Sequence, residues 1–264
     1  MNVYIMTDVE GCAGVVGFET QTYGDAKYYE QTKRIATAEV NAAVDALVAQ
    51  GITDILVGDY HGPGGLSWEH LHPAAKLLHG RPLAPRDVID AVTRQYEVAM
   101  IIGQHALAGT VDGTLNHTQS SRAVDYYRLN GRPIGEIAQF ALYQGALGQP
   151  VIFLSGDEAA CREAEELIPG ITTVAVKKGL SRQSAISLSQ QEAHRRIREG
   201  VAQAIAKQRD NPLPPFTLPG PYELEVRFFH TDTVDGLMRR PGIERVDSQT
   251  VRKRSDNILD VIYL

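Results

Sequence analysis

Short apolar runs alternate with stretches of helical spacing along most of this 264-residue chain, and that alternation restricts the fold more than any other feature. Parallel strands cannot be joined by tight turns and need a crossover, usually a helix. The pattern therefore predicts an α/β fold: a mainly parallel sheet flanked by helices in three layers. Val3–Thr7 reads as the first strand. Asp25–Gln50 follows as a long helix, with Ile35, Ala38, Ala42, Leu47 and Val48 near helical spacing and Gly51 where a stop belongs. Ile55–Gly58 and Val98–Ile102 are the second and third strands. Tyr126–Leu129 and Arg132–Ile134, joined by Asn130-Gly131, predict a hairpin. Helix Glu136–Leu147, strand Val151–Leu154, helix Glu158–Leu167, strand Thr172–Val176 and helix Gln190–Gln208 continue the alternation.

The proline-rich segment Asn211–Pro221 is the one clear linker signal. Beyond it, a strand at Tyr222–His230, a helix at Thr233–Arg239 and two further short strands predict a small C-terminal α+β subdomain. The expected division is an α/β domain over residues 1–210 with the 222–264 subdomain packed on it.

Composition excludes several function classes. A formal charge of −6 argues against a nucleic-acid binder that relies on a basic surface. The triplet Arg252-Lys253-Arg254 reads as a solvated strand face or a subunit contact. Two cysteines, Cys12 and Cys161, are too few for a disulfide framework or a four-cysteine zinc site, so both are expected to be reduced. The short N-terminal apolar run has no basic residues before it and acids after it, unlike a signal peptide. No apolar run is long enough to span a membrane. A cytoplasmic protein with neither nucleic-acid nor membrane partners is expected.

Chemistry gathers at the strand ends. The first strand delivers Asp8 and Glu10 just before Gly11. If the strand runs through Glu10, both carboxylates project to one side, because side chains alternate from face to face. Two carboxylates that close repel unless a proton or a cation sits between them. The second strand ends in Asp59 and His61, within GDYHG, and the third in His105, within GQHA. Parallel strands line up their carboxyl ends along one edge, where open α/β sheets bind ligands. Imidazole and carboxylate together form a ligand set for zinc and similar metals.

The ordered set TDVEG, GDYHG, GQHA, NHT at Asn116–Thr118 and NGRPIGE at Asn130–Glu136 closely resembles the zinc-dependent D-aminopeptidases, peptidase family M55, long labelled dipeptide-transport proteins. LHP at Leu71–Pro73, SGDEAA at Ser155–Ala160, the stretch Ala164–Arg182 and the strand at Glu223–Phe229 extend the resemblance over nearly the whole chain. It implies a dinuclear zinc centre, two zinc ions per subunit, with other divalent metals possible. Asp8 corresponds to the carboxylate shared by both metals. His61 and Glu136 correspond to ligands of one, and Glu10 and His105 to ligands of the other. His117 matches the catalytic histidine. From its position alone, Glu136 reads only as an acid in the first turn of a helix.

The implied activity is a metal-dependent aminopeptidase that hydrolyses short peptides with an N-terminal D-residue, such as D-Ala-D-Ala-like cell-wall fragments. His117 is left as general base, acid, oxyanion stabiliser or nucleophile, with proton transfer or oxyanion stabilisation preferred. The resemblance also implies a homo-oligomer, with a decamer of two stacked five-membered rings expected. The rivals are a dinuclear amidase or phosphoesterase of other specificity, and a non-catalytic peptide-binding accessory of dipeptide transport.

The chain departs from the family in its HGPGG loop, in Thr118 after the catalytic histidine and in an end at Tyr263-Leu264 that looks short. Among the remaining candidates, His70 and His72 flank a proline turn and read as structural. Cys12 reads as a packed thiol, Asp59 as a partner that orients a metal-bound histidine, and Asp157 as a helix cap. Gly11 and Gly14 do not have the spacing of a dinucleotide fingerprint.

Overall fold

A computed structural model describes all 264 residues. The first half runs β1 (Val3–Thr7), α1 (Tyr29–Ala49), β2 (Ile55–Asp59), β3 (Ala75–Leu78), α2 (Arg86–Thr93), β4 (Val98–Gln104), β5 (Val124–Leu129) and β6 (Arg132–Ile134). Next come α3 (Glu136–Ala146), β7 (Val151–Asp157), α4 (Glu158–Leu167), β8 (Thr172–Ser181), β9 (Ser184–Ser187) and α5 (Gln190–Asp210). The last stretch is β10 (Tyr222–Phe228), α6 (Thr231–Leu237), β11 (Ile243–Arg245), β12 (Thr250–Ser255) and α7 (Ile258–Val261). The expected elements are present, and β3, α2, β9 and α7 are additional.

The larger sheet has the order β3-β2-β1-β4-β7-β8-β9, parallel throughout except for the edge strand β9. Both faces are covered, as a parallel sheet requires. Val3 and Ile5 of β1 point into a core shared with α1 and α5, while Tyr4 and Met6 point into the opposite core with α3 and α4. These are the three layers the alternation predicts. No helix is long and apolar enough to cross a membrane.

Strand order reverses at β1: the chain steps outward to β2 and β3 on one side, and to β4, β7 and β8 on the other. Crossovers on the two sides of such a point leave a crevice at the strand carboxyl ends. Asp8, His61 and His105 follow β1, β2 and β4, the three strands that meet there.

The smaller sheet, antiparallel and ordered β11-β12-β10-β5-β6, takes two of its strands from the hairpin 124–134. The expected boundary between residues 1–210 and 222–264 therefore cuts through a hydrogen-bonded sheet. Helix α3 packs into both units: Ile137, Phe140 and Ala141 face the larger sheet, and Ala138 and Leu142 face the smaller. A helix buried all round can be apolar all round, which is why α3 shows almost no polar stripe.

Strand β1 stops at Thr7, earlier than the same-side argument for Asp8 and Glu10 requires. Asp8 to Gly11 instead form a turn laid across the end of β4: the Asp8 amide donates to the Ile102 carbonyl at 2.9 Å and the Gly11 amide to the Gly103 carbonyl at 2.7 Å. This crossing is tight enough to demand glycine. A Cβ on Gly11 would lie 2.0 Å from the Gln104 carbonyl oxygen, and one on Gly103, whose φ is +78°, would lie 2.2 Å from the Asp8 carbonyl oxygen. The turn, not strand alternation, sets the two acids side by side.

Candidate metal centre

Five of the six residues singled out from sequence form one continuous contact chain, and His117 stacks against it. Asp8 lies at the middle. Its Oδ1 is 3.1 Å from His61 Nδ1 and its Oδ2 is 3.2 Å from His105 Nε2, so each carboxylate oxygen faces a different histidine. Glu10 Oε2 sits 3.2 Å from His61 Nδ1, and Glu136 Oε1 sits 3.5 Å from His105 Nε2. The ligand atoms of Asp8, Glu10 and His105, the trio that the resemblance assigns to one metal, lie within 4.8 Å of one another. His61 and Glu136, the pair assigned to the other, are not in mutual contact: His61 leans on Asp8 and Glu10, and Glu136 on His105.

Each histidine has its tautomer fixed by a backbone carbonyl, which can only accept. His61 Nε2–H donates to Thr22 O at 2.8 Å, His105 Nδ1–H to Ala106 O at 2.9 Å, and His117 Nδ1–H to Leu115 O at 2.9 Å. The nitrogens left over, His61 Nδ1, His105 Nε2 and His117 Nε2, all point at carboxylates. Partners of this kind hold metal-ligating imidazoles in orientation.

The donor set fits a divalent metal. Glu10 Oε2 and His105 Nε2 are buried, and neither has an aligned hydrogen-bond partner despite its close neighbours. Two ligands of one tetrahedral zinc, each about 2.0–2.1 Å from the ion, stand roughly 3.3 Å apart. The Asp8 oxygens stand 3.1 Å from His61 Nδ1 and 3.2 Å from His105 Nε2, close to that spacing. Mixed imidazole and carboxylate donors suit zinc and its neighbours better than magnesium or calcium.

The electrostatics are those of crowded, buried opposite charges. Burial raises the Asp8 carboxyl, but the His105 and His61 imidazoles outweigh it and hold Asp8 well below the usual carboxylate range. Burial lowers His61 and His105, and the Glu10 and Glu136 charges together with Asp8 more than reverse this. His117 goes the other way: burial and the adjacent His105 charge keep it below the ordinary imidazole range. Its ring stacks on His105 at 4.0 Å between centroids and meets Phe18 edge-on at 5.6 Å. Glu136 Oε1 is 3.9 Å from its Nε2. On either side of His117, Leu115 and Gln119 hold φ of 55° and 63°, a conformation that side-chain-bearing residues seldom adopt and that concentrates at functional sites. By spacing alone, His105, His117 and Glu136 also make a three-ligand group.

Several supports are invisible to motif reading. The Thr22, Ala106 and Leu115 carbonyls are backbone groups with no residue-type signal. Arg81 braces the loop after β2 by donating to the His61 and Gly62 carbonyls, each at 2.6 Å. Lys177 lies fully buried beneath the metal turn and donates to the carbonyls of Glu10 and Val15. Glu39 accepts from the Ala13 amide at 2.8 Å, and burial pushes its carboxyl up to about 7. Lys177 is the first residue past the expected end of its strand at Val176, and its burial is what a lysine pair in sequence least suggests.

The other candidates have local roles. Asp59 accepts from the amides of Gly65 and Leu66 at 2.8 and 3.1 Å, shaping the HGPGG loop rather than touching the His61 ring. Asp157 caps α4 through the Ala160 amide and also binds the Thr114 amide. His70 bonds Ser67, His72 bonds the Ala74 amide, and Cys12 is a buried free thiol. A cavity of about 620 Å3 opens from Asp8, Glu10, His61, His117 and Glu136 toward Phe140, Tyr143, Arg86 and Tyr263.

A parallel sheet that carries a buried imidazole–carboxylate cluster at its switch point defines a metal-site α/β protein. Comparison with known proteins narrows the class. The family model for peptidase M55, described as D-aminopeptidase, matches residues 1–264, and the chain belongs to that family. A D-aminopeptidase of Bacillus subtilis (strain 168) is 31% identical over 262 residues, covering 98% of this chain and 93% of its own length. The solved structure of the zinc-dependent D-aminopeptidase DppA from Bacillus subtilis, described as a self-compartmentalizing protease, matches with a TM-score of 0.88 at 31% identity. That match covers 99% of this chain and 94% of the relative's.

Proposed function

We propose that this chain is a dinuclear zinc aminopeptidase that removes the N-terminal residue from short peptides beginning with a D-amino acid, D-Ala-D-Ala-like fragments among them. The observation that carries the reading is the convergence of three carbonyl-locked histidines on the acids Asp8, Glu10 and Glu136. Membership of the D-aminopeptidase family supports the substrate class. Asp8, Glu10, His61, His105 and Glu136 would hold the metals, with Asp8 between them because its two oxygens face different histidines. When bound, divalent zinc supplies Lewis acidity, lowering the pKa of water and polarising a carbonyl.

The chain's own residues supply the proton chemistry. His117 has its Nδ1–H tied to Leu115, so Nε2 carries the free lone pair, and its lowered pKa keeps it unprotonated near neutrality. As water oxygen adds to the scissile carbonyl carbon, Nε2 takes the proton from water. As the C–N bond breaks, Nε2 returns that proton to the leaving amine. The products are a free D-amino acid and the shortened peptide. No covalent bond to His117 is needed. Glu136, near Nε2, steadies the transient imidazolium.

The same reading makes the active form a homo-oligomer, with a decamer as the specific expectation. A compartment of copies would admit only short peptides, and the relative's self-compartmentalizing character supports it. A cytoplasmic location suits two buried free cysteines. The test is metal analysis of the purified protein followed by turnover of matched D- and L-aminoacyl peptides. Two zinc ions per chain with release of N-terminal D-residues only is the expected result. Two bound metals with no D-aminoacyl cleavage would sink the substrate claim and spare the site.

A further inference from the structure

The cavity beside the metal cluster has a second pole. Glu136, Phe140, Tyr143 and Gln144 fall at i, i+4, i+7 and i+8 on α3, and all four line it. That stripe makes the helix a ruler: at 1.5 Å per residue, Tyr143 lies about 10 Å beyond Glu136 along the axis. At the Tyr143 end stands Arg86. Its guanidinium carbon lies 5.6 Å from the ring centres of both Tyr143 and Tyr263, which are themselves 5.5 Å apart. One N–H donates to the Leu259 carbonyl at 2.8 Å, which orients the fork and leaves its other N–H groups without a protein acceptor.

Two arginines line this cavity, and they differ in one respect. Arg122 is paired with Glu19 at 2.9 Å and stacks over Tyr23 at 3.6 Å. Arg86 has no carboxylate within 4.0 Å. Asp87, Asp90 and Asp260 share the adjoining surface depression without reaching it, and Asp90 accepts from the Tyr143 hydroxyl instead. An oriented, aromatic-flanked guanidinium without its own acid is built to receive a planar anion in two-pronged fashion.

We infer that Arg86 anchors the free α-carboxylate of the peptide substrate, so that the site measures chains of two to three residues between the metal cluster and Arg86. An extended peptide advances about 3.3–3.6 Å per residue, and two or three residues span the distance set by α3. The inference rests on the proposed aminopeptidase reading for the position of the peptide's N-terminus. It adds what that reading lacks, a reason at the far end of the substrate for short peptides to be preferred. Phe140, between Glu136 and Tyr143 on α3, presents apolar surface to the intervening side chains.

The test compares D-Ala-D-Ala-D-Ala as the free acid with its C-terminal amide, on the full-length, zinc-loaded protein. Binding is read by calorimetry in a His117→Ala background, and turnover is read separately in the wild type. The free acid is expected to bind about tenfold more tightly than the amide, with the difference carried in KM during turnover rather than in kcat. Arg86→Met should erase the preference, and Arg86→Lys should retain part of it. Equal binding of acid and amide, binding of neither, or a preference that survives in Arg86→Met would overturn the inference. A preference in binding without turnover upholds Arg86 and rejects the aminopeptidase reading, so the two fail separately.

Discussion

Charges crowd together in two places in this molecule, and the two crowds are built on opposite principles. On the smaller sheet, Glu223 stands directly across from Arg254 and Glu225 from Arg252. Arg254 bonds Glu223 and Glu244, each at 2.8 Å, and Arg252 reaches Glu225 at 3.3 Å. These side chains keep partial contact with water, and every acid already has its cation. Arg252 and Arg254 of the triplet thus share one strand face and are paired with acids across the ladder, whereas Lys253 stands across from Leu224. At the switch point of the larger sheet, Asp8, Glu10 and Glu136 are gathered without arginine, against the imidazoles of His61 and His105. The ladder neutralises itself, whereas the buried cluster leaves Glu10 Oε2 and His105 Nε2 without aligned partners and calls for a cation from outside the chain.

Substitution inside the buried cluster should have the largest effects and should separate its members. Asp8→Ala removes the carboxylate that touches both histidines. It should lose bound zinc and all measurable turnover. His117→Ala should keep its zinc, because its partners hold the other five side chains, while turnover falls about 10²–10⁴-fold. Zinc content by atomic emission, measured beside peptide hydrolysis, reads both variants. Loss of metal in His117→Ala would make His117 a ligand, as its spacing to His105 and Glu136 allows.

Lys177 extends the comparison, since it is a buried charge satisfied by carbonyls rather than by an acid. Lys177→Met leaves the Glu10 and Val15 carbonyls unpaired beneath the metal turn. We expect a loss of about 1–3 kcal/mol in denaturant titration and roughly tenfold weaker zinc binding in a chelator competition. Unchanged zinc affinity in a folded variant would show that the turn holds its shape without Lys177.

The readable parts of this structure are those in which a side chain's type and spacing carry its physics. The three layers follow from alternation, and Asp8, His61 and His105 stand out because acids and histidines end apolar runs. Glu136 follows a hairpin and opens a helix, so only the family resemblance marks it. The carbonyls that set the histidine tautomers have no side-chain signal, and Lys177 looks like an ordinary surface lysine until the fold buries it. Arg86 sits on a helix with weak sequence cues, and its neighbour Tyr263 comes from the other end of the chain. The pairing of hairpin 124–134 with the C-terminal strands is equally non-local, which is why a boundary drawn at the linker misplaces it.

A half-buried acid outside the cluster, with one oxygen fully covered, gives an intermediate effect with a definite pH signature. Glu163 accepts from the Leu107 amide at 2.8 Å, and burial pushes its carboxyl up to about 7, against an ordinary value of 4.5. Below 4.5 the group is protonated in both folded and unfolded chains and costs nothing. Between 4.5 and 7 the folded state holds the extra proton, so stability falls as pH rises through that window. Above 7 the ionised buried carboxylate costs roughly 3 kcal/mol. Glu163→Gln should remove that slope, gaining about 2–3 kcal/mol over wild type at pH 8 and little at pH 4.5. Parallel melting curves at fixed zinc read the difference, and parallel pH profiles for the two proteins would count against it.

The exposed ladder should give the smallest effect, and that smallness tests the contrast. Arg254→Ala deletes two ion pairs at once, yet its partners Glu223 and Glu244 return to water rather than to a buried void. Exposed pairs contribute little because solvent screens them and long side chains lose entropy in forming them. The expected loss is the smallest of the set, and it should shrink further in 1 M salt, where the screening length falls to about 3 Å. A larger, salt-insensitive loss would mean that this face is covered in the working assembly and that its charges, like those at the switch point, are held away from water.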